Sequence, residues 1–376
     1  MGVVRRCCPI VSVVIVNYNG GTLVVEAVHA ALRSSIPLEI IVADNASSDG
    51  SFDFLRKRFS GNPRVRFIDN GSNLGFARAN NLATQQARGQ YLLLLNPDCL
   101  IYPDTLKRVV DAMESRPQAA MAGCLIRNPD GTEQAGSRRA VPTPWRTFVR
   151  VFHLNKLFPK NPRFRSFVLT GMPLPREPVT QEAISGAFML VRREALDQIG
   201  GLDEGYFLHC EDLDWCMRFR QAGWEILFVP DAEAVHYKGY CSRTRPTFVL
   251  YHLHKGMVRF YRKFFRHQYP APLMWAVTVA VWLRFILLAS VGWLERVYTG
   301  GAAVTVPELH QALAEEPMDP STVRWQKGLD GSVLAFGRSE PTVTREQPTV
   351  PARERRTTGS SKIDPSMPKR RKSDQQ

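Results

Sequence analysis

No Gly-x-Gly-x-x-Gly follows the first strand-like run, no Cys-x-x-Cys occurs, and two long stretches carry no carboxylate at all. Each absence removes a class of function. Asn17-Tyr18-Asn19-Gly20-Gly21, where the chain leaves the apolar run Val11 to Val16, has neither the glycine spacing of a dinucleotide-binding turn nor the basic residue of a phosphate loop. A dehydrogenase and a nucleotidyltransferase are therefore disfavoured. Seven cysteines (Cys7, Cys8, Cys99, Cys124, Cys210, Cys216 and Cys241) are odd in number. With that spacing they argue against a disulfide framework or a zinc knuckle and for reduced thiols. Arg5-Arg6 leads almost directly into the first strand, without the apolar core and small-residue cleavage site of a signal peptide. The catalytic body is expected to stay in the cytoplasm.

The missing acids matter more than the net charge of +14. Gln134 to Arg176 has nine Lys or Arg and no Asp or Glu, and Ala234 to Leu294 has nine more under the same condition. The remaining 31 basic residues face all 35 acids, so the excess of positive charge belongs to these two patches. Such patches attract polyanions: nucleic acid, anionic lipid head groups or a diphosphate-bearing substrate. A solvated basic face is the plainer reading of either patch alone.

At 376 residues and 44% hydrophobic content the chain can bury the core of one large α/β domain with appendages. Strand-like runs at Val11 to Val16, Glu39 to Ala43, Val65 to Ile68 and Tyr91 to Leu95 alternate with helical spacing at Leu23 to Ser34, Phe52 to Phe59, Ala77 to Ala87 and Asp104 to Ser115. This βαβ series predicts a parallel sheet covered by helices on both faces, with ligands at the carboxyl ends of strands, where Asn17, Asp44 and Asp98 fall. Each of these alone also reads as a turn or cap residue. After an irregular, Pro- and Arg-rich stretch from Gly136 to Val179, a second block runs from Ala183 to Val235. It has strands at Gly186 to Val191 and Glu225 to Val229, and helices at Arg193 to Ile199 and Asp212 to Ala222.

Glu211-Asp212-Leu213-Asp214-Trp215, Asn96-Pro97-Asp98 and the lone His236 are residue types suited to moving a group off a diphosphate. A divalent ion offsets the charge that grows on a diphosphate leaving group. Mg²⁺ or Mn²⁺ in such sites needs only one or two protein ligands, with imidazole acceptable to Mn²⁺. Asp98 and His236 fit that need. An attacking hydroxyl must lose its proton to a base on the opposite face of the sugar, and Asp212 is the candidate. At a helix start, Glu211 and Asp212 also read as a cap that favours the dipole. Trp215, on the first turn, reads as packing or as a platform for a sugar ring, and Asp214 lies beside it on the acceptor side.

From Thr247 to His267 the spacing predicts a basic amphipathic helix. Phe248, Tyr251, Val258, Tyr261 and Phe265 share a face beside a strip of Arg259, Lys263 and Arg266. Leu273 to Leu294 is apolar except for Arg284, which costs roughly 2.5 to 3.5 kcal/mol at the centre of a membrane span, so the segment either spans or lies at the interface. Attachment to an anionic membrane is expected through 247–294. Beyond Gly300 the Pro, Thr, Ser, Glu and Arg content predicts a mostly disordered tail.

Val13-Val14-Ile15-Val16-Asn17-Tyr18-Asn19, Asp44-Asn45-Ala46-Ser47-Ser48-Asp49-Gly50-Ser51, Asn73-Leu74-Gly75-Phe76, Asn96-Pro97-Asp98 and Glu211-Asp212-Leu213-Asp214-Trp215 resemble, in order, the family 2 inverting glycosyltransferases. Among these the chain looks most like the rhamnosyltransferase and galactofuranosyltransferase types of bacterial envelope polysaccharides, over about Ile10 to Arg262. The resemblance implies a GT-A fold: a Rossmann-like, mostly parallel central sheet flanked by helices, followed here by a C-terminal membrane-associated helical segment. It implies a catalytic domain at 10–246, with a nucleotide-sugar half at 10–125 and an acceptor half at 183–246, between an N-terminal extension (1–9) and the tail (300–376). Residue by residue, Asn17 and Asn19 match the loop that wraps the nucleotide, and Asp44 the acid that bonds the pyrimidine. Asp98 matches the metal-binding end of an Asp-x-Asp-like motif whose first acid is replaced by Asn96 on the donor side. Asp212 matches the base, Glu211 a neighbour that could tune it, and His236 the metal-ligating His after the last strand. The implied partners are a UDP- or dTDP-sugar, rhamnose among the sugars it fits, and a lipid-linked or polysaccharide acceptor at the cytoplasmic face of the inner membrane, with Mg²⁺ or Mn²⁺ and no nucleic acid. A non-enzymatic basic membrane- or nucleic-acid-binding protein on the same fold would explain the patches and leave the ordered acids unexplained.

Overall fold

The computed structural model describes residues 9–158, 160–241 and 245–298, with the short pairs 323–324 and 337–338. Cys7, Cys8 and the N-terminal extension up to residue 8 lie outside the described residues. So does most of the expected tail, in which Val323–Arg324 and Gly337–Arg338 pair antiparallel. The described cysteines are all free, and four of them are buried.

Strands β1 (Val11–Asn17), β2 (Leu38–Asp44) and β4 (Tyr91–Leu95) are buried along their whole length, while β3 (Val65–Asp69) is an edge with one fully buried residue. Continuous aliphatic runs suit strands covered on both faces, and helical crossovers provide that cover. Here the crossovers are α1 (Leu23–Leu32), α2 (Ser51–Phe59) and α3 (Phe76–Thr84), close to their expected limits. β1 pairs in parallel with β2 on one side and β4 on the other, and β2 with β3. Successive connections thus leave β1 in opposite directions, and the crevice at the carboxyl ends of β1 and β4 is a topological switch point.

The sheet continues through a mixture of expected elements and others that the periodicity did not mark, the strands at 99–101 and 119–127 among them. A short β5 (Cys99–Ile101) leads through α4 (Thr105–Glu114) to β6 (Ala119–Arg127). β6 is rich in Ala and poor in β-branched residues, so its strand form depends on tertiary burial, which is complete for all but its last residue. The irregular stretch contributes β7 (Arg138–Arg139), α5 (Pro144–Val151) and α6 (Leu154–Leu157), then β8 (Val179–Thr180) and β9 (Ala183–Ile184). β10 (Phe188–Arg192) inserts antiparallel between β4 and β6, followed by α7 (Arg193–Ile199), α8 (Glu211–Gln221) and β11 (Glu225–His236). β11 runs past the expected end at Val229. The register against β6 shifts between Val229 and Glu233, a bulge that takes up Pro230 without ending the strand. Its last three residues pair with β5, placing His236 opposite Cys99 and therefore beside Asp98.

Two helices complete the chain. α9 (Pro246–Phe265) buries Val258, Phe260, Tyr261, Phe264 and Phe265 against the body. The amphipathic helix expected at 247–267 is thus present, with part of its apolar face turned to the body: Tyr261 and Phe265 belong to the core, and Arg259 and Lys263 pair with Asp203. α10 (Ala271–Tyr298) packs on α9 but stays largely uncovered. Its stretch Ala271–Leu294 is long and apolar enough to cross a membrane and is only 11% buried, unlike the core helix of a soluble domain. Arg284 is held by His254 of α9, whose Nδ1 lies 2.7 Å from Leu250 O and whose Nε2 takes the guanidinium at 2.8 Å.

Candidate active site

The carboxyl end of β1 is organised around Asn17. Its Nδ2 lies 2.8 Å from Asp44 Oδ1 and 2.9 Å from Ser51 Oγ, while its Oδ1 accepts the Gly20 N–H at 3.2 Å. A Cβ on Gly20 would come 2.5 Å from that oxygen, so the close turn requires glycine. Asp44, at the end of β2, accepts the Ser47 N–H and hydroxyl at 2.8 and 2.7 Å. Asn19, in the left-handed region at φ 54°, accepts the Ser48 N–H at 2.7 Å. Asn17, Asn19 and Asp44 are thus brought together by one hydrogen-bonded loop pair. Asn17 and Asp44 are buried within it, so their side chains fix the shape of the loop pair.

Beyond β4, Asn96, Asp98 and His236 converge. His236 Nε2 lies 3.1 Å from Asp98 Oδ1 and 3.3 Å from Asn96 Nδ2. Its other nitrogen, Nδ1, donates to Gln134 Oε1 at 2.7 Å. The Gln134 amide orientation is itself fixed, because its Nε2 donates to His236 O at 3.0 Å and Asn128 Oδ1 at 2.9 Å. With the proton on Nδ1, a neutral His236 turns the Nε2 lone pair toward a carboxylate oxygen. Two acceptors facing each other at that distance are suited to share a cation. Among the described residues no three His, Cys, Asp or Glu side chains form an all-protein cage. Two protein ligands fit a Mg²⁺ or Mn²⁺ ion whose other ligands are phosphate oxygens and water.

The third group sits at the start of α8, delivered by a strained turn. His209 and Cys210 both adopt positive φ, 70° and 71°, which is costly for residues with a Cβ. Gly256 of α9 packs directly on this turn, where a Cβ would come 2.8 Å from His209 O. Asp212 Oδ2 accepts the Gly186 N–H at 3.2 Å and is ion-paired with Arg139, and its Oδ1 accepts the Leu213 N–H at 2.8 Å. One residue further on, Ala187 O accepts the Asn96 N–H at 3.0 Å. The backbone at the start of β10 therefore touches Asn96 on one side and Asp212 on the other. Glu211 is buried, one of its oxygens has no partner, and burial, then the neighbouring Asp212, push its carboxyl up to about 8.

Two expectations are corrected here. Trp215 is 1% exposed and donates Nε1–H to Gly200 O at 2.9 Å, so its ring packs the core and offers no face to a sugar. Asp214, two residues along the helix from Asp212, points to the opposite side, where it is fully buried and paired with Arg218 at 2.8 Å and Lys263 at 2.6 Å. Gln134 and Arg139 went unrecognised. Both lie in the first acid-free stretch, which signalled charge but not that its leading edge threads under the site.

The sequence profile described as Glycosyl transferase family 2 matches residues 12–200. The N-acetylglucosaminyl-diphospho-decaprenol L-rhamnosyltransferase of Mycobacterium tuberculosis is 30% identical over 291 residues, covering 74% of this chain and 92% of that protein. Rhamnosyltransferase WbbL of Escherichia coli is 29% identical over 217 residues, 55% of this chain and 75% of that protein. Among solved structures, a mannosyltransferase from Pyrobaculum calidifontis in complex with GDP-Man and Mn²⁺ superposes with a TM-score of 0.50 at 18% identity, covering 82% of this chain and 79% of the other, a likeness of fold.

Proposed function

The chain belongs to glycosyl transferase family 2, and from that premise we propose that it transfers rhamnose, with inversion, from a dTDP- or UDP-activated donor to a diphospholipid-linked glycan at a membrane surface. A mostly parallel GT-A sheet and membership of this family make it a glycosyltransferase and leave the non-enzymatic reading without support. The observation that supports the finer proposal is the Gly186–Ala187 segment leading into β10, whose Gly186 N–H donates to Asp212 and whose Ala187 O accepts the N–H of Asn96, beside Asp98 and His236.

In this reading the loops around Asn17, Asn19 and Asp44 bind the nucleotide, and Asp98 and His236 would hold Mg²⁺ or Mn²⁺ against the diphosphate. When bound, the ion offsets the negative charge that grows on the leaving group. Gln134 keeps the His236 proton on Nδ1, so that Nε2 stays free for the ligand role. Asp212 removes the proton from the acceptor hydroxyl as its oxygen attacks the anomeric carbon opposite the departing diphosphate, and this single displacement inverts the centre. Arg139 and the Gly186 N–H orient the carboxylate. Glu211, carrying its proton at neutral pH, adds no second negative charge beside the base. Membrane attachment through α10 would bring the lipid-linked acceptor to this end of the body.

The test is transfer from a panel of radiolabelled dTDP- and UDP-sugars, with Mn²⁺ or Mg²⁺, to a synthetic polyprenyl-diphospho-N-acetylglucosamine. A rhamnosylated lipid product formed from dTDP-rhamnose is expected. Transfer from a different sugar nucleotide would replace rhamnose, and transfer only to a lipid-free glycan would replace the acceptor class.

A further inference from the structure

Every exposed large apolar side chain among the described residues falls in one of two segments, 145–174 or 248–294. The second comprises α9 and α10, of which α10 carries the membrane attachment proposed above. The first, α5 and α6 with the loop that follows, has been given no role. Trp145, Phe148, Phe152, Phe158 and Phe164 form a chain of neighbouring rings with centroids 4.5–5.8 Å apart. The first four are 43–60% exposed, and Leu157 beside them is 68% exposed. A cluster of this kind in contact with water needs a reason, because its burial within the fold would release ordered solvent.

The charge around the rings points to one occupant. Arg150, Lys156, Lys160, Arg163 and Arg165 are exposed among them, and none is ion-paired with a carboxylate among the described residues. On α9, Arg259 and Lys263 are paired with Asp203, Lys263 also with Asp214, while Lys255 and Arg262 are exposed without an ion pair among the described residues. Aromatic rings interleaved with unneutralised Lys and Arg, without any acid, match the boundary of an anionic bilayer, where rings enter the head-group layer and long basic side chains reach the phosphates. The platform is also tied to the helix that carries α10: Thr147 Oγ1 of α5 lies 2.8 Å from the buried Tyr261 hydroxyl of α9, on which α10 packs.

We propose that α5, α6 and the loop to residue 165 form a second, interfacial contact with anionic phospholipid. The body would then be held at two points, and Arg139, five residues before the platform begins at Pro144, would sit where a lipid-linked acceptor arrives. The proposal extends the membrane attachment proposed above, and its test reads the two contacts separately.

The experiment uses the full chain with Cys7, Cys8 and Cys241 replaced by serine and a single environment-sensitive fluorophore on Phe152→Cys. Leu157→Cys serves as a second platform site, Leu287→Cys reports α10, and exposed Ser60→Cys on the body is the control. Vesicles of phosphatidylglycerol and phosphatidylethanolamine, with nitroxide lipids labelled at the head group, are added and compared with vesicles of phosphatidylcholine. Emission from positions 152 and 157 should shift to shorter wavelength and be quenched with the anionic vesicles, less so with phosphatidylcholine, while position 60 stays unchanged. If 152 and 157 behave like 60 while 287 is quenched, the platform is not a membrane contact, although α10 is. A label at 152 that is shielded without lipid, increasingly with protein concentration, would overturn the proposal in favour of contact between copies of the chain. Response at 152 and 157 without response at 287 would uphold the platform and remove α10 as the anchor.

Discussion

Arg139 and Asp212 form an ion pair in which each partner is also fixed by backbone: the guanidinium donates to Ile184 O at 2.9 Å and the carboxylate accepts the Gly186 N–H at 3.2 Å. The pair joins β7, the β9–β10 turn and the start of α8, so the residue assigned as base is immobilised before any acceptor arrives. Burial works against the charge on Arg139, and the adjacent carboxylate more than restores it. The consequence is a base whose direction is set by the fold and does not depend on bound substrate.

Replacing the base separates chemistry from binding. Asp212→Asn keeps the shape and removes the proton acceptor, so turnover should fall roughly 10²-fold or more while donor affinity, measured by calorimetry, changes little. Near-normal turnover would move the base to Glu211, because Asp214 is fully buried and already paired with Arg218 and Lys263.

Arg139 is a positioning residue, and its removal should mimic a displaced base. Arg139→Ala is expected to lower turnover by roughly 10²-fold, the scale of a small misplacement of a reacting group, with donor affinity preserved. Arg139→Lys keeps the charge but not the planar fork that spans Ile184 O and Asp212, so it should recover only part of the loss. Full recovery by lysine in steady-state kinetics would show that charge alone suffices.

The first half was legible because its strands are continuous aliphatic runs ending in polar residues, and both signals survive without tertiary context. β6 was not, since Ala119-Ala120-Met121-Ala122-Gly123 has the composition of a helix and becomes a strand only between β10 and β11. Asp98 and His236 were chosen from motif positions, and the structure brings them within 3.1 Å, because β11 continues through its bulge to pair with β5. Trp215 and Asp214 were misplaced for an opposite reason. Neighbours in sequence around Asp212 point to other faces once they lie on a helix, and the surface of α8 that they occupy is the one buried by α7 and α9. Gln134 and Arg139 carry no local signal, since their roles exist only where residues 134–139 meet His236 and Asp212 on distant elements.

Glu211 predicts a pH dependence of stability. Its carboxyl holds a proton to about 8 in the folded protein, against an ordinary value of 4.5, because burial disfavours the charge and Asp212 adds repulsion. The folded state therefore binds the proton more tightly than the unfolded chain. Stability from this group is fully present below 4.5, and it is lost as pH rises toward and through 8. Melting temperatures of wild type and Glu211→Gln, measured in parallel from pH 5 to 9, should converge on the acid side and separate with rising pH, with the wild type falling relative to the variant. Parallel curves would mean that Glu211 is ionised throughout.

The cation-binding role proposed for Asp98 and His236 can be read without turnover. Calorimetric titration with UDP or dTDP should show strong binding with Mn²⁺ that is lost with EDTA, and Asp98→Ala should reproduce that loss. Gln134→Leu removes the acceptor that holds His236 Nδ1–H, together with the amide's bonds to His236 O and Asn128 Oδ1, and it is expected to weaken Mn²⁺ binding roughly 10- to 100-fold in the presence of the nucleotide. Nucleotide affinity indifferent to EDTA would exclude the assignment of Asp98 and His236.

Removing α10 should detach the protein, but the cut must spare α9. Truncation before Thr247 would strip Phe260, Tyr261, Phe264 and Phe265 from the core and leave Asp203 and Asp214 without Lys263, so it would destabilise the body itself. A chain ending at Pro270 keeps these contacts and loses α10, whose apolar side chains are mostly exposed apart from Met274 and Val281, together with the residues beyond it. In cell fractionation the full-length protein should sediment with membranes and be released only partly by salt, because apolar burial is not screened. The shortened chain should be largely soluble at physiological salt. If the aromatic and basic platform on α5 and α6 also meets lipid, the shortened chain will still bind anionic vesicles at low salt and leave them as ionic strength rises, since each Lys or Arg near the surface contributes only about 1 kcal/mol and is screened within about 10 Å at 0.1 M. Undiminished membrane association of the shortened chain at high salt would show that the principal anchor lies elsewhere than α10.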